Sequence, residues 1–365
     1  GRTLKNLKGA WRGIADASYD ATAAGARPDL PDGDIKTLKE QMRACLETRG
    51  GEVSARGRAA ALGHVYLALD NTGRERFLSV LANDFDIDGA PVDAAIEEYN
   101  MAEGRDARRL AQAVLKKSLE APRIKLLTQF NALPDGVKFL VDMRAELLAI
   151  NSEDPSLQGL ERELKSLLST WFDADFLELR RITWDNASAA LLEKLIAYEA
   201  VHAIDSWDDL RRRLEPSDRR CFAFFHPSMP DEPLIFVEVA LTNGVPGSVQ
   251  MLLSEGRSAI PTSDADTATF YSISNCQAGL ASISFGNSLI KQVASDLATE
   301  VPSLATFVTL SPIPGLTSWL QSEGIAWEEA DAEKLRGYAA DYLLNAKRGG
   351  GQPLDPVARF HLGNG

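Results

Sequence analysis

The spacing of apolar residues changes once along this chain, and no fold built of one kind of element accommodates both halves. Up to about residue 168, apolar side chains recur at helical spacing. Ile35, Leu38, Met42, Cys45 and Leu46 share one face, and Phe139, Leu140, Met143, Leu147 and Ile150 share another. Turn chemistry interrupts these segments at Gly50-Gly51, Asp88-Gly89-Ala90-Pro91, Leu133-Pro134-Asp135-Gly136 and Asp154-Pro155. After Trp171, short β-branched and aromatic runs alternate with helical patterns. Residues 221–225, 234–241, 269–273 and 305–310 have the length and composition of strands, and residues 289–297 read as a helix between the last two. The fold class that follows is α+β: an all-α helical bundle over residues 1–168, then an α/β domain with a central mixed sheet over residues 169–365.

Composition narrows the function. The chain has 365 residues, 45% hydrophobic and 25% charged, which is enough for two domains with separate cores. Its formal net charge of -13 argues against nucleic-acid binding, which draws on clustered Lys and Arg. Cys45, Cys221 and Cys276 lie far apart with no C-x-x-C spacing, so neither a zinc site nor a disulfide scaffold is expected, and a reducing cytoplasm fits best. There is no apolar run of about 18 residues and no apolar signal core at the start, so membrane insertion and secretion are not expected.

Asp84-Phe-Asp86-Ile-Asp88-Gly89 begins like a calcium-binding loop, with carboxylates at alternate positions and a glycine after them. The closing bidentate Glu is absent, its position being Ala95, and Pro91 distorts the half that would wrap the ion. No metal is expected there, and the segment reads as a solvated helix connection.

In the second half, Asn275 to Lys291 is a small-residue turn between a strand and an amphipathic helix. Its backbone N–H groups could face an anion such as a pyrophosphate without side-chain obstruction. The candidates are Ala281, Ser282, Ile283, Ser284, Phe285, Gly286 and Asn287, with Ile290 on the helix that follows, and Gln277 and Gly279 offer an alternative register. A turn of this kind is also ordinary structure, and both readings stand.

Four successive segments carry a resemblance. They are His226-Pro-Ser-Met-Pro-Asp-Glu-Pro-Leu-Ile-Phe-Val-Glu-Val-Ala-Leu-Thr242, Phe270-Tyr-Ser-Ile-Ser274, Leu310-Ser-Pro-Ile-Pro-Gly315 and Ala358-Arg-Phe-His-Leu-Gly-Asn-Gly365. In order and spacing they resemble the signature segments of malonyl-CoA decarboxylases, most closely over residues 205–365. The resemblance implies an acetyltransferase-like (GNAT-type) catalytic fold, malonyl-CoA as substrate, acetyl-CoA and CO2 as products, and no cofactor or metal. It also implies a helical domain that assembles four subunits, and the bundle's surplus of apolar faces agrees with a homo-oligomer. The family's catalytic serine falls on Ser311 and its catalytic histidine on His361. Two departures are visible. Many members carry an acidic residue where this chain has Ser284, for which Glu238 is a candidate substitute. Members also continue past the His361 segment, so a further C-terminal stretch is expected beyond Gly365.

The two assignments make chemical sense. Loss of CO2 from a malonyl thioester leaves an enolate, so a site must orient the carboxylate, stabilise charge on the thioester oxygen and deliver a proton to carbon. The thioester is itself the electron sink that other decarboxylations borrow from a cofactor. Ser311 ends a strand before two prolines that stiffen the turn, and a histidine can donate a proton near neutral pH. Taken singly, each residue also has an ordinary reading, as a turn serine and a packed histidine. His64 and His202 fall in helical patterns and read as structural, and His226 reads as a residue shaping the pocket. Two rival functions share these features: an acyl-CoA N-acyltransferase and a non-catalytic acyl-CoA-binding regulatory protein.

Overall fold

The computed structural model describes residues 25–47, 51–150, 153–172, 176–283 and 289–364. The described residues up to Trp171, together with Gln277–Ile283, form one compact unit; Phe172–Cys276 and the residues from Leu289 onward form another.

The first unit is helical: α1 (Asp32–Leu46), α2 (Gly51–Ala68), α3 (Asn71–Asp84), α4 (Gly89–Met101), α5 (Arg105–Ser118), α6 (Pro122–Asn131), α7 (Gly136–Ile150) and α8 (Pro155–Trp171). Local chemistry sets their starts. Asp70 accepts from the Gly73 amide at 2.9 Å to cap α3, Asp88 accepts from Ala90 at 3.1 Å to cap α4, and Pro122 opens α6, where its missing N–H costs nothing. Leu157, Leu160, Leu164 and Leu168 form the buried stripe of α8, and Tyr66 stands edge-on to Phe77 and Phe139. Truncating one such leucine to Ala costs about 2–5 kcal/mol. The three carboxylates of the calcium-like segment are each engaged by protein groups: Asp84 pairs with Lys39 at 2.6 Å, Asp86 with Arg123 at 2.8 Å, and Asp88 is the cap of α4.

The segment 277–283 packs on α7. A Cβ at Gly279 would stand 1.8 Å from the Val141 carbonyl oxygen, so only glycine allows this approach. Buried Arg144 donates to the carbonyls of Gly279 (2.6 Å) and Ala281 (3.0 Å) and pairs with Glu161 of α8 at 2.6 Å.

The second unit is built on a five-stranded sheet: β1 (Glu178–Ile182), β2 (Arg219–His226), β3 (Met229–Thr242), β4 (Thr267–Asn275) and β5 (Thr306–Thr309). Strands follow chain order, antiparallel from β1 to β4, with β4 and β5 parallel, so the sheet is mixed and the class is α+β. β2 is buried throughout and β3 almost so, as their continuous apolar runs require. Helices α9 (Ala189–Tyr198) and α10 (Trp207–Leu214) place Leu192, Leu195, Leu210 and Leu214 in one core with Cys221, Ala223, Phe225 and Phe236 of the sheet. A short α11 (Val249–Leu253) precedes β4, and α12 (Leu289–Glu300) precedes β5 and holds Arg220 of β2 through Glu300 at 2.7 Å. Three helices complete the unit: α13 (Leu316–Ser322), α14 (Ala332–Asn345) and α15 (Pro356–Asn364).

Lys347 and Pro353 pair across the glycine-rich 347–352 stretch, where the Arg348 amide donates to the Gln352 carbonyl at 2.9 Å. One reading from the sequence changes. His202 follows the end of α9 instead of lying in a helix, with its amide held by Glu199 at 2.8 Å. No described helix is long and apolar enough to cross a membrane.

Candidate active site

The pairing of β4 with β5 ends at Phe270 and Thr309, and one further bond, from the Leu310 amide to the Phe270 carbonyl at 2.8 Å, closes the ladder. Beyond it Ser311 is followed by Pro312 and Pro314, which lack the amides a continuing strand would need. Strand β4 runs on to Asn275. Both segments line a cavity of about 220 Å³, Tyr271, Ile273 and Asn275 from one and Leu310, Ser311 and Pro312 from the other. Helix α15 supplies a third wall with Pro356, Val357, Phe360 and His361, whose spacing puts them on one helical face.

Ser311 Oγ and His361 Nε2 lie 2.8 Å apart in this cavity. Burial lowers the His361 pKa from its ordinary value, favouring the neutral imidazole, in which one ring nitrogen accepts and the other donates. The remaining walls are mostly apolar, with Val201, Phe270, Leu310, Val357 and Phe360 among them.

The other candidates fall differently. Ala281 and Ile283 already donate their amides to the carbonyls of Ala278 and Leu280, and Ser282 takes a positive φ of 62°, so this part is a closed turn. Ser284, Phe285, Gly286 and Asn287 lie outside the described residues. Ile290 is half-buried on the first turn of α12. Among the described residues, neither Glu238 nor His226 lines the cavity. Glu238 is 1% exposed beneath the sheet surface, 3.2 Å from Arg213, and burial raises its pKa to about 7 against the pull of that guanidinium. His226 ends β2, accepts the Ser228 amide at 3.1 Å and packs on Phe172. Asp355 was not singled out in the sequence, although Asp followed by Pro is a helix-start signature; its Oδ1 caps α15 through the amides of Val357 and Ala358, both at 2.9 Å.

Fold and site thus define a class: a two-unit α+β protein in which a mixed-sheet unit encloses a serine–histidine pair in an apolar cavity. Comparison with known proteins narrows it. The model of the malonyl-CoA decarboxylase C-terminal domain matches residues 175–331 and 325–365, and that of the malonyl-CoA decarboxylase N-terminal domain matches residues 85–172. The chain is 37% identical over 413 aligned positions to the mitochondrial malonyl-CoA decarboxylase of Mus musculus, covering 97% of this chain and 80% of that one. It is 34% identical over 334 to that of Anser anser anser, covering 87% of this chain and 64% of that protein's length. Among solved structures, malonyl-CoA decarboxylase from Rhodopseudomonas palustris superposes with a TM-score of 0.83 at 44% identity, and that from Agrobacterium vitis with 0.80 at 38%. Each alignment covers 90% of this chain and 85% of the other. The chain belongs to the malonyl-CoA decarboxylase family.

Proposed function

We propose that this protein converts malonyl-CoA to acetyl-CoA and CO2, with Ser311 orienting the malonyl carboxylate and His361 delivering the proton. The observation that carries the reading is the Ser311–His361 hydrogen bond inside a small, mostly apolar cavity. A hydroxyl fixed beside the stiff Pro312-Ile-Pro314 turn can hold the carboxylate with little freedom left to lose. As the C–C bond breaks, its electron pair moves into the thioester to give the enolate. Protonation at carbon by His361 then gives acetyl-CoA. Apolar walls keep water from competing for that step and strengthen the electrostatic attraction between the imidazolium and the enolate. The CoA pyrophosphate is assigned, as expected from the sequence, to the Ala281 to Asn287 segment ahead of α12, of which residues 284–287 lie outside the described residues.

Family membership also supports a homo-oligomer formed through the helical unit, a tetramer in the expectation from sequence. Met101 and Leu110, on α4 and α5, are apolar side chains exposed to 73% and 71%, as a contact surface would leave them in a single subunit. Light scattering at micromolar concentration checks it, a monomer being the contrary result.

Incubation with malonyl-CoA and no amine acceptor tests the reaction. Acetyl-CoA accumulates if the reading holds. A requirement for an amine would make the protein an N-acyltransferase, and tight binding without turnover would make it a binding protein.

A further inference from the structure

Ser311 and His361 lie on separate segments, and one buried carboxylate ties the two together. Asp355 is 1% exposed. Its Oδ1 accepts the amides of Val357 and Ala358 at the start of α15, the helix that carries His361. Its Oδ2 accepts the amide of Gly315 at 3.4 Å, at the end of the Ser311-Pro-Ile-Pro-Gly315 turn. Tyr342 of α14 reaches the same point: burial first, and then the Asp355 carboxylate, raise its phenol pKa, and its ring packs on Trp319 at 5.2 Å. Gly315 is pinned between them. A Cβ there would stand 2.0 Å from the Tyr342 hydroxyl and 3.5 Å from Asp355 Oδ2.

We infer that Asp355 is the positioning residue of the Ser311–His361 pair, with Tyr342 as its brace. The inference rests on the reading of that pair as the reacting groups. Each arm of the clasp is stiff. From Asp355 to His361 the chain is helix, a rise of roughly 9 Å, and from Gly315 back to Ser311 it holds two prolines with fixed φ. A shift at Asp355 is therefore carried to the reacting atoms, where a displacement of about 1 Å can cost about a hundredfold in rate. An ordinary helix cap would do less: its removal weakens the fold but leaves kcat per folded molecule unchanged.

Asp355→Ser separates the two roles. Serine caps helices as well as aspartate does, but its single short-armed oxygen cannot also reach Gly315. The expected result is a folded protein whose kcat is at least about tenfold lower, with KM for malonyl-CoA within about twofold, because binding energy comes mainly from the distant nucleotide and pantetheine arm. Rates are normalised to the folded fraction measured by circular dichroism at the assay temperature. Wild-type kcat per folded molecule in Asp355→Ser overturns the inference. If that variant does not fold, Tyr342→Phe carries the test; it leaves the cap intact and is expected to lose about threefold in kcat, and an unchanged kcat again overturns the inference. Ser311→Ala and His361→Ala run alongside: if these retain activity, the reading of the pair itself has failed, whereas their loss beside a fully active Asp355→Ser removes the clasp alone.

Discussion

Ser311 Oγ and His361 Nε2 are 2.8 Å apart although fifty residues separate them in the chain. The end of a sheet strand and one face of a helix meet there, so each half of the pair is held by regular structure. If the two act as a unit, losing either should stop turnover while leaving malonyl-CoA bound. His361→Ala is expected to lose at least about a hundredfold in kcat, in line with general acid catalysis, and Ser311→Ala a comparable amount. The double variant should be scarcely slower than the worse single one, because partners in one step are strongly non-additive. Single-turnover rates on the four proteins decide it; losses that multiply would mean the residues work independently.

The pH dependence has a direction set by burial. His361 has its pKa lowered from 6.5, so in the free protein its proton-donating cation disappears as pH rises through a value below 6.5. A bound malonyl carboxylate brings a negative charge beside the ring and raises that pKa again. The alkaline limb of kcat/KM, which reports the free protein, should therefore lie at lower pH than the limb of kcat, which reports the complex. His361→Gln should abolish both limbs. Coincident limbs above pH 6.5 would assign the titration to another group.

How much of this was legible in the sequence differs from residue to residue. The runs Cys221–Phe225 and Leu234–Leu241 announced β2 and β3, because strands buried on both faces are apolar without alternation. β1 was not named from the sequence: it is an edge strand whose charged Glu178, Arg180 and Arg181 leave no apolar run, and charge is what protects an edge from wrong pairing. Gly279 looked like part of an anion-binding turn, yet its small size is required by the Val141 carbonyl, a contact set by the tertiary fold. Ser311 and His361 could be named through family resemblance but not paired, since nothing local in either segment encodes their distance. Asp355 had a local signature as a helix start, while its bond to Gly315 depends on a segment forty residues away.

Gly315 gives a steric prediction. Gly315→Ala puts a methyl group against the Tyr342 hydroxyl, a clash that one side of the contact must relieve by moving. Overpacking of this kind typically costs about 1–3 kcal/mol. With Tyr342→Phe in the same chain the oxygen is gone and the nearest ring atom, Cζ, lies 3.0 Å away, so the double variant should recover part of the loss. Urea midpoints for the two singles and the double test this; strictly additive destabilisation would show that the clash is not where the cost arises.

The last prediction concerns Glu238. Its pKa is raised from 4.5 to about 7, chiefly by burial, which Arg213 opposes and Glu199 reinforces. Tyr271, Arg219 and Cys221 enclose the same spot from β4 and β2, and Asp209 of α10 shares the Arg213 guanidinium. Between pH 4.5 and about 7 the folded protein keeps the proton while the unfolded chain has released it, so the folded state binds more protons and stability falls as pH rises. The contribution is complete below pH 4.5 and gone above about 7, and a shift of this size is worth up to about 3 kcal/mol. Other groups titrate over the same range, so the measurement is a difference. Glu238→Gln keeps the shape and an acceptor for Arg213 but cannot titrate. Urea unfolding of both proteins at pH 5, 6, 7 and 8 should show wild type losing stability relative to Glu238→Gln across the series. A difference between wild type and variant that stays flat from pH 5 to 8 would mean that Glu238 is ionised throughout and that its attraction to Arg213 outweighs the cost of burial.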